Sequence, residues 1–145
     1  MYYLKKEKGK SKQKRKTDYV KKLDKIFSLY IRLRDAYPNG LFRCISCGQI
    51  KPFEQADAGH YFSRTHMSTR YDEENVHSEC RFCNRFRADH LIDYRENLIK
   101  KIGSQRYELL EWKSRQVKKW SDFELKELIK YYSALVEKLR KEKGL

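Results

Sequence analysis

Cys44-Ile45-Ser46-Cys47-Gly48 and, further on, Cys80-Arg81-Phe82-Cys83-Asn84 decide how the rest of the chain is read. These two runs contain all four cysteines of the 145 residues. Zinc takes four ligands in a tetrahedron, with thiolate sulfurs about 2.3 Å from the ion. A gap of two residues lets both sulfurs of a pair turn toward one ion, and Gly48 suits the tight turn that closes the first knuckle. The 32 residues from Gly48 to Glu79 then hang between the two knuckles as a unit of their own. Two redox pairs are the competing reading, and in a reducing compartment structural disulfides do not persist. Cys44, Cys47, Cys80 and Cys83 are therefore expected to bind a structural Zn2+. Such a closed site holds a fold and does no chemistry, so any catalysis must lie elsewhere.

The stretch between the knuckles carries Asp57-Ala58-Gly59-His60-Tyr61 and Asn75-Val76-His77, and Asn84 directly follows the last cysteine. Hydrolysis of a phosphodiester needs a base to activate water and a divalent ion to stabilise the departing oxygen. A histidine titrating near neutrality suits the first role, and the hard oxygens of Asp and Asn suit the second. The residue types are present; their composition alone does not make an enzyme.

Outward from this centre the chain is helical. Thr17 is a plausible N-cap, with Asp18 in the first turn of a helix along which Val20, Leu23, Phe27, Tyr30 and Arg34 recur at three- and four-residue spacing. Pro38-Asn39-Gly40 ends it. Leu41-Phe42-Arg43 reads as a strand, 55–62 as a hairpin region and 63–74 as a loop, with a helix starting near the second cysteine pair. Leu91, Ile92, Leu98, Ile99 and Ile102 mark a further helix closed by Gly103. Tyr107, Leu110 and Val117 mark another. Ser121-Asp122-Phe123-Glu124 has the spacing of a capping box and opens a last helix, with Phe123, Leu128, Tyr132, Leu135 and Leu139 on one side. Tyr61, Phe62, Phe82 and Phe86 read as small-core residues, and Trp112 and Trp120 as core or helix contacts. The fold class is α+β and predominantly helical.

Charge identifies the partner class. Lys plus Arg number 34 against 20 Asp plus Glu, a formal net charge of +14. A polyanion that releases counterions as its phosphates are neutralised is the usual partner of such an excess. Residues 1–16 carry eight basic side chains against Glu7 alone and are expected to be a disordered basic arm, leaving 17–145 as a single domain. No apolar run is long enough to span a bilayer, and the N-terminus has no secretory apolar segment, so a cytoplasmic location and no membrane partner are expected. Arg64, Arg70, Arg81, Arg85, Arg87 and His77 lie in or beside the inter-knuckle stretch and are expected to meet phosphates as a group.

Taken in order, the motifs resemble the phage NinG (Rap) recombination proteins, a family of zinc-bearing HNH, or ββα-metal, endonucleases. The resemblance rests on Cys44–Gly48, Asp57–Tyr61, Arg70–His77 and Cys80–Asn84, with Tyr30–Asp35 upstream and Tyr94–Ile99 downstream. It implies a small ββα-metal core flanked by N- and C-terminal helices, and endonucleolytic cutting of branched DNA such as Holliday junctions and D-loops. It also implies His60 as general base, Asn84 as a ligand of a catalytic Mg2+ or Mn2+, and Asn75 stiffening the loop between strand and helix. Many HNH nucleases carry an Asp immediately before the general base, where this chain has Gly59. Asp57, on the same side of a strand as Gly59, is the expected substitute. A homodimer would suit a junction with two strands to cut. The alternative is a non-catalytic, zinc-stabilised DNA-binding recombination accessory module; a protein–protein adaptor is a remoter one.

Overall fold

A computed structural model describes residues 17–145; the basic arm expected at 1–16 lies outside the described residues. The order of elements is α1 (Tyr19–Asp35), β1 (Leu41–Arg43), β2 (Ile50–Pro52), a 3-10 turn (Phe53–Gln55), β3 (Ala56–His60), β4 (Val76–Cys80), α2 (Arg81–Arg85), α3 (His90–Ile102), α4 (Ser104–Ser114) and α5 (Asp122–Lys143). Two small antiparallel sheets, β1–β2 and β3–β4, sit within a helical shell, so the domain is mixed α/β and mostly helical.

α1 and α5 form the main buttress. Leu23, Phe27, Tyr30 and Ile31 of α1 bury against Leu125, Tyr132 and Val136 of α5, and Tyr71 and Val76 close the same core. Phe27 and Tyr132 meet edge to face with centroids 4.9 Å apart, a geometry that aromatic quadrupoles favour. The last turn of α1 leaves carbonyls without helical partners. Lys143 of α5 caps them, its Nζ donating to the carbonyls of Leu33, Arg34 and Ala36. Just beside this, Arg34 donates to the carbonyls of Glu73 and Val76, while Asp35 accepts from the backbone N–H of Ser78. The end of α1 is thereby pinned to β4.

The first cysteine pair lies between β1 and β2, and the second bridges the end of β4 and the start of α2. Phe42, Cys44, Ala56, Cys80 and Cys83 form a separate small core around them. A third core joins Tyr94 and Leu98 of α3 to Tyr107 and Leu110 of α4, with Tyr61 and Phe62 packed on it.

Several local expectations are corrected. The N-cap of α1 is Asp18, whose carboxylate accepts from Lys21 N–H, and not Thr17. The 55–62 stretch is not a local hairpin: β3 pairs across the 61–75 loop with β4, Ala56 opposite Cys80 and His60 opposite Val76. Phe82 and Phe86 are exposed, because the face of five-residue α2 that is buried is the one bearing Cys83. Trp112, Val117 and Phe123 are exposed as well. α4 ends at Ser114, before Val117, and α5 turns Leu125, Leu128 and Ile129 inward in place of Phe123.

Candidate functional site

The cysteines converge. All four Sγ atoms lie within 4.8 Å of one another, and Cys47 and Cys80 Sγ are 4.0 Å apart. The edge of a tetrahedron with zinc–sulfur bonds of about 2.3 Å is about 3.8 Å, so the spacing fits one ion. The backbone N–H of Cys80 donates to Cys44 Sγ at 3.2 Å, a bond that supports a thiolate. None of the four is in a disulfide. Burial pushes the Cys44 thiol up to about 11, so a cation is what would make a thiolate of it at neutral pH. The cluster could hold a zinc ion, and with all four positions taken by sulfur it would be closed.

A cleft of about 550 Å³ runs along the outer edge of β3. α1 supplies one wall with Asp24, Phe27 and Ser28, and α2 with the start of α3 supplies the other through Asn84, Arg85 and His90. Asp57 and His60 reach it from β3, and Arg64 from the loop. Three separate sequence motifs are therefore brought into one cavity.

Inside it, Asp57 Oδ2 accepts from Asn84 Nδ2 at 3.0 Å. Arg85 grips the same carboxylate through two N–H···O bonds of 2.8 Å each. Burial acts to raise the Asp57 pKa, but the hydrogen bonds from Arg85 and Asn84 and the positive charge nearby outweigh it and hold the carboxyl below its usual value. His60 has Nε2 3.0 Å from the carbonyl of Arg70. A carbonyl only accepts, so Nε2 carries a proton. Burial lowers the His60 pKa, favouring the neutral ring. A paired carboxylate, an amide and a neutral imidazole in one cleft can bind a divalent cation and take a proton from water.

Asn75 is completely buried. Its Nδ2 donates to the carbonyls of Phe62 and Thr69, and its Oδ1 accepts from Phe62 N–H. It ties both ends of the 61–75 loop to backbone and has no route to a substrate.

The expected phosphate-binding group divides. Arg64 and Arg81 are exposed and make no ion pair among the described residues. Arg87 is held by Asp89 and Asp93. Arg70 is not a free surface cation, as its guanidinium pairs with Asp24 on α1 and donates to the Arg64 carbonyl; its work is to clamp the loop to α1. His77 is also corrected. At 3% exposure it packs against Tyr94, 3.3 Å from the hydroxyl, and borders a different cavity with Arg43, Lys100 and Lys101.

Two residues were not singled out from the sequence. His90 opens α3 facing the cleft, and its Nδ1 is 2.6 Å from Glu79 Oε2. Glu79, on β4 opposite Asp57, is fully buried. A glutamate beside a cysteine in a strand gives no sequence signal of this kind. Crowding at Gly59, where a Cβ would lie 2.5 Å from Glu79 Oε1, is visible only once β3 and β4 are paired.

The fold and the cysteine cluster define a small mixed α/β domain with a site fit for a structural metal. A family profile described as "Bacteriophage Lambda NinG protein" matches residues 3–142, and the chain belongs to that phage family. Among curated relatives, "Protein ninG" of Escherichia phage lambda is 30% identical over 129 residues, covering 87% of this chain and 59% of that protein. "Protein ninG" of Salmonella phage P22 is 32% identical over 125 residues, 84% of this chain and 58% of that one. "Protein ninG" of Escherichia phage 933W is 35% identical over 96 residues, 64% and 44% respectively. The chain thus spans about half the length of the curated relatives it matches. No solved structure matches it. Among the described residues no helix is long and apolar enough to cross a membrane.

Proposed function

We propose that this chain is a metal-dependent DNA endonuclease of the HNH type, acting on branched DNA in phage recombination. The observation that carries the reading is the common cleft of His60, Asp57 and Asn84, the last two in direct hydrogen bond at 3.0 Å. The order β3, loop, β4, α2 is that of a ββα unit, with the sulfur cluster at its back, and this supports the assignment.

In this reading His60 is the general base. With Nε2–H committed to the Arg70 carbonyl, Nδ1 takes a proton from water as the water oxygen attacks phosphorus and the bond to the leaving oxygen breaks. Its lowered pKa keeps it in the basic form at neutral pH. Asp57 and Asn84 would hold a Mg2+ or Mn2+, which supplies Lewis-acid stabilisation of the leaving oxygen. The Asn84 amide must turn to present oxygen, and Arg85 must release Asp57. Arg85 is half exposed on the cleft rim, so its swing onto a DNA phosphate disturbs no core. Arg64 and Arg81 add exposed positive charge nearby.

The test is cleavage of a labelled four-way junction beside linear duplex of the same sequence. Zinc-loaded protein with added Mg2+ or Mn2+ should cut, and His60→Ala should lose about 10²- to 10⁴-fold in rate while keeping its zinc and DNA binding. Salt-sensitive DNA binding without cutting under either ion would overturn the reading in favour of a DNA-binding accessory module.

A further inference from the structure

We infer that His90, held in place by the buried Glu79, is a further ligand for a divalent cation in the His60 cleft, and that it makes the site prefer a borderline ion such as Mn2+ over Mg2+. The inference rests on the cleft being a cation site, as proposed above, but names ligands and an ion class which that reading does not.

Glu79 is a fully buried carboxylate whose two oxygens are used unequally. Oε2 accepts from Ser46 Oγ and from His90 Nδ1, while Oε1 has no hydrogen-bond partner among the described residues. Burying a polar atom without a hydrogen-bond partner is costly, so Oε1 is kept in place against a penalty. Because a carboxylate accepts, His90 Nδ1 is the nitrogen that donates to Glu79. That leaves Nε2, which has no partner among the described residues, as the nitrogen to meet a cation, on a ring that lines the cleft with Asp57 and Asn84. Metal-bound histidines almost always donate their other ring N–H to a carboxylate or carbonyl, which fixes the ring and raises its basicity. His90 and Glu79 have that arrangement.

Gly59 ties the dyad to the missing carboxylate. A Cβ on Gly59 would lie 2.5 Å from Glu79 Oε1 and 2.9 Å from Glu79 Cβ, so the space a side chain at 59 would occupy is filled from the opposite strand. A ligand cannot be supplied from position 59 while Glu79 is there. Glu79 instead delivers one indirectly, through His90. Imidazole nitrogen suits transition-metal ions, whereas Mg2+ favours oxygen alone, hence the ion preference.

The test is binding of Mn2+ alone to the zinc-loaded full chain, followed by the loss of the free-ion EPR signal, with Mg2+ as competitor. His90→Ala should weaken Mn2+ binding by tenfold or more and reduce the preference over Mg2+. Glu79→Gln should weaken it by about 10- to 100-fold. His90 is partly exposed at the start of α3, so its variant separates ligation from folding even if Glu79→Gln is unstable. Unchanged Mn2+ affinity in a folded His90→Ala protein overturns the inference, whether or not the protein cuts DNA. Loss of Mn2+ binding in that variant, with a parent that binds Mn2+ but never cuts, sustains the inference and sinks the endonuclease reading alone.

Discussion

Gly59 on β3 lies diagonally across from Glu79 on β4, so closely that a single added carbon at 59 would lie 2.5 Å from the Glu79 carboxylate. Glu79 cannot retreat without breaking its contacts to Ser46 and His90. Gly59→Ala should therefore destabilise the domain by about 1–3 kcal/mol, as overpacking does, and Gly59→Asp by more, because it adds a second carboxylate beside a buried one. Urea unfolding of the three proteins at neutral pH checks this. A Gly59→Asp protein as stable as the parent would show that Glu79 moves freely.

Arg85 and Asp57 form a partly exposed ion pair at the position where a cation would contact that carboxylate. Exposed pairs are weak, so Arg85→Ala should tighten divalent-ion binding only modestly, at most about fivefold. The same change should weaken DNA binding and flatten its salt dependence by roughly one phosphate contact. Parallel ion and DNA titrations would separate the two effects.

If the four cysteines bind zinc, as their spacing allows, its removal should unfold the middle of the domain, because Phe42, Cys44, Ala56, Cys80 and Cys83 are themselves that small core. Cys80→Ser should lose stoichiometric zinc, measured by metal analysis, and lose the cooperative thermal transition of the parent. Full retention of both would refute a structural metal.

His77 gives the stability a pH dependence. Burial, then the charges of Lys101 and Arg34, lower its pKa to about 3, against about 6.5 in an unfolded chain. Below 6.5 the unfolded chain takes a proton that the folded one refuses, so stability present above that pH is lost as pH falls toward 3. The slope contributed is at most about 1.4 kcal/mol per pH unit. His60, lowered in the same direction by burial, adds to it. His77→Gln should be distinctly less acid-sensitive than the parent in urea titrations between pH 7 and pH 5.

Asn75 satisfies three backbone groups of the 61–75 loop from a fully buried position. Asn75→Ala should cost roughly 2–4 kcal/mol, since groups left unpaired bear their desolvation penalty. It should also loosen the Arg70 carbonyl that orients His60. Asn75→Asp should recover only the bond from Phe62 N–H.

Spacing and period made the sulfur cluster, the α1 stripe, the Gly103 stop and the Ser121 cap legible, because each depends on residues close together in the chain. α1 and α5 were visible as amphipathic helices, yet nothing local said that they pack on each other or that Lys143 caps α1. Asp57, His60 and Asn84 were legible as residue types, but that they share a cleft is a consequence of β3 pairing with β4 across a fifteen-residue loop. The exposure of Phe82 and Phe86 could not be read from composition, since a short helix beside a cysteine knuckle spends its buried face on sulfur. Glu79 and His90 are eleven residues apart in sequence, with no period or motif joining them. The sequence alone determined which atoms could bind a metal or move a proton; tertiary structure decided which of them meet, because a contact across a sheet or between two helices is set by pairing register and packing, and neither leaves a mark on the neighbours of a single residue.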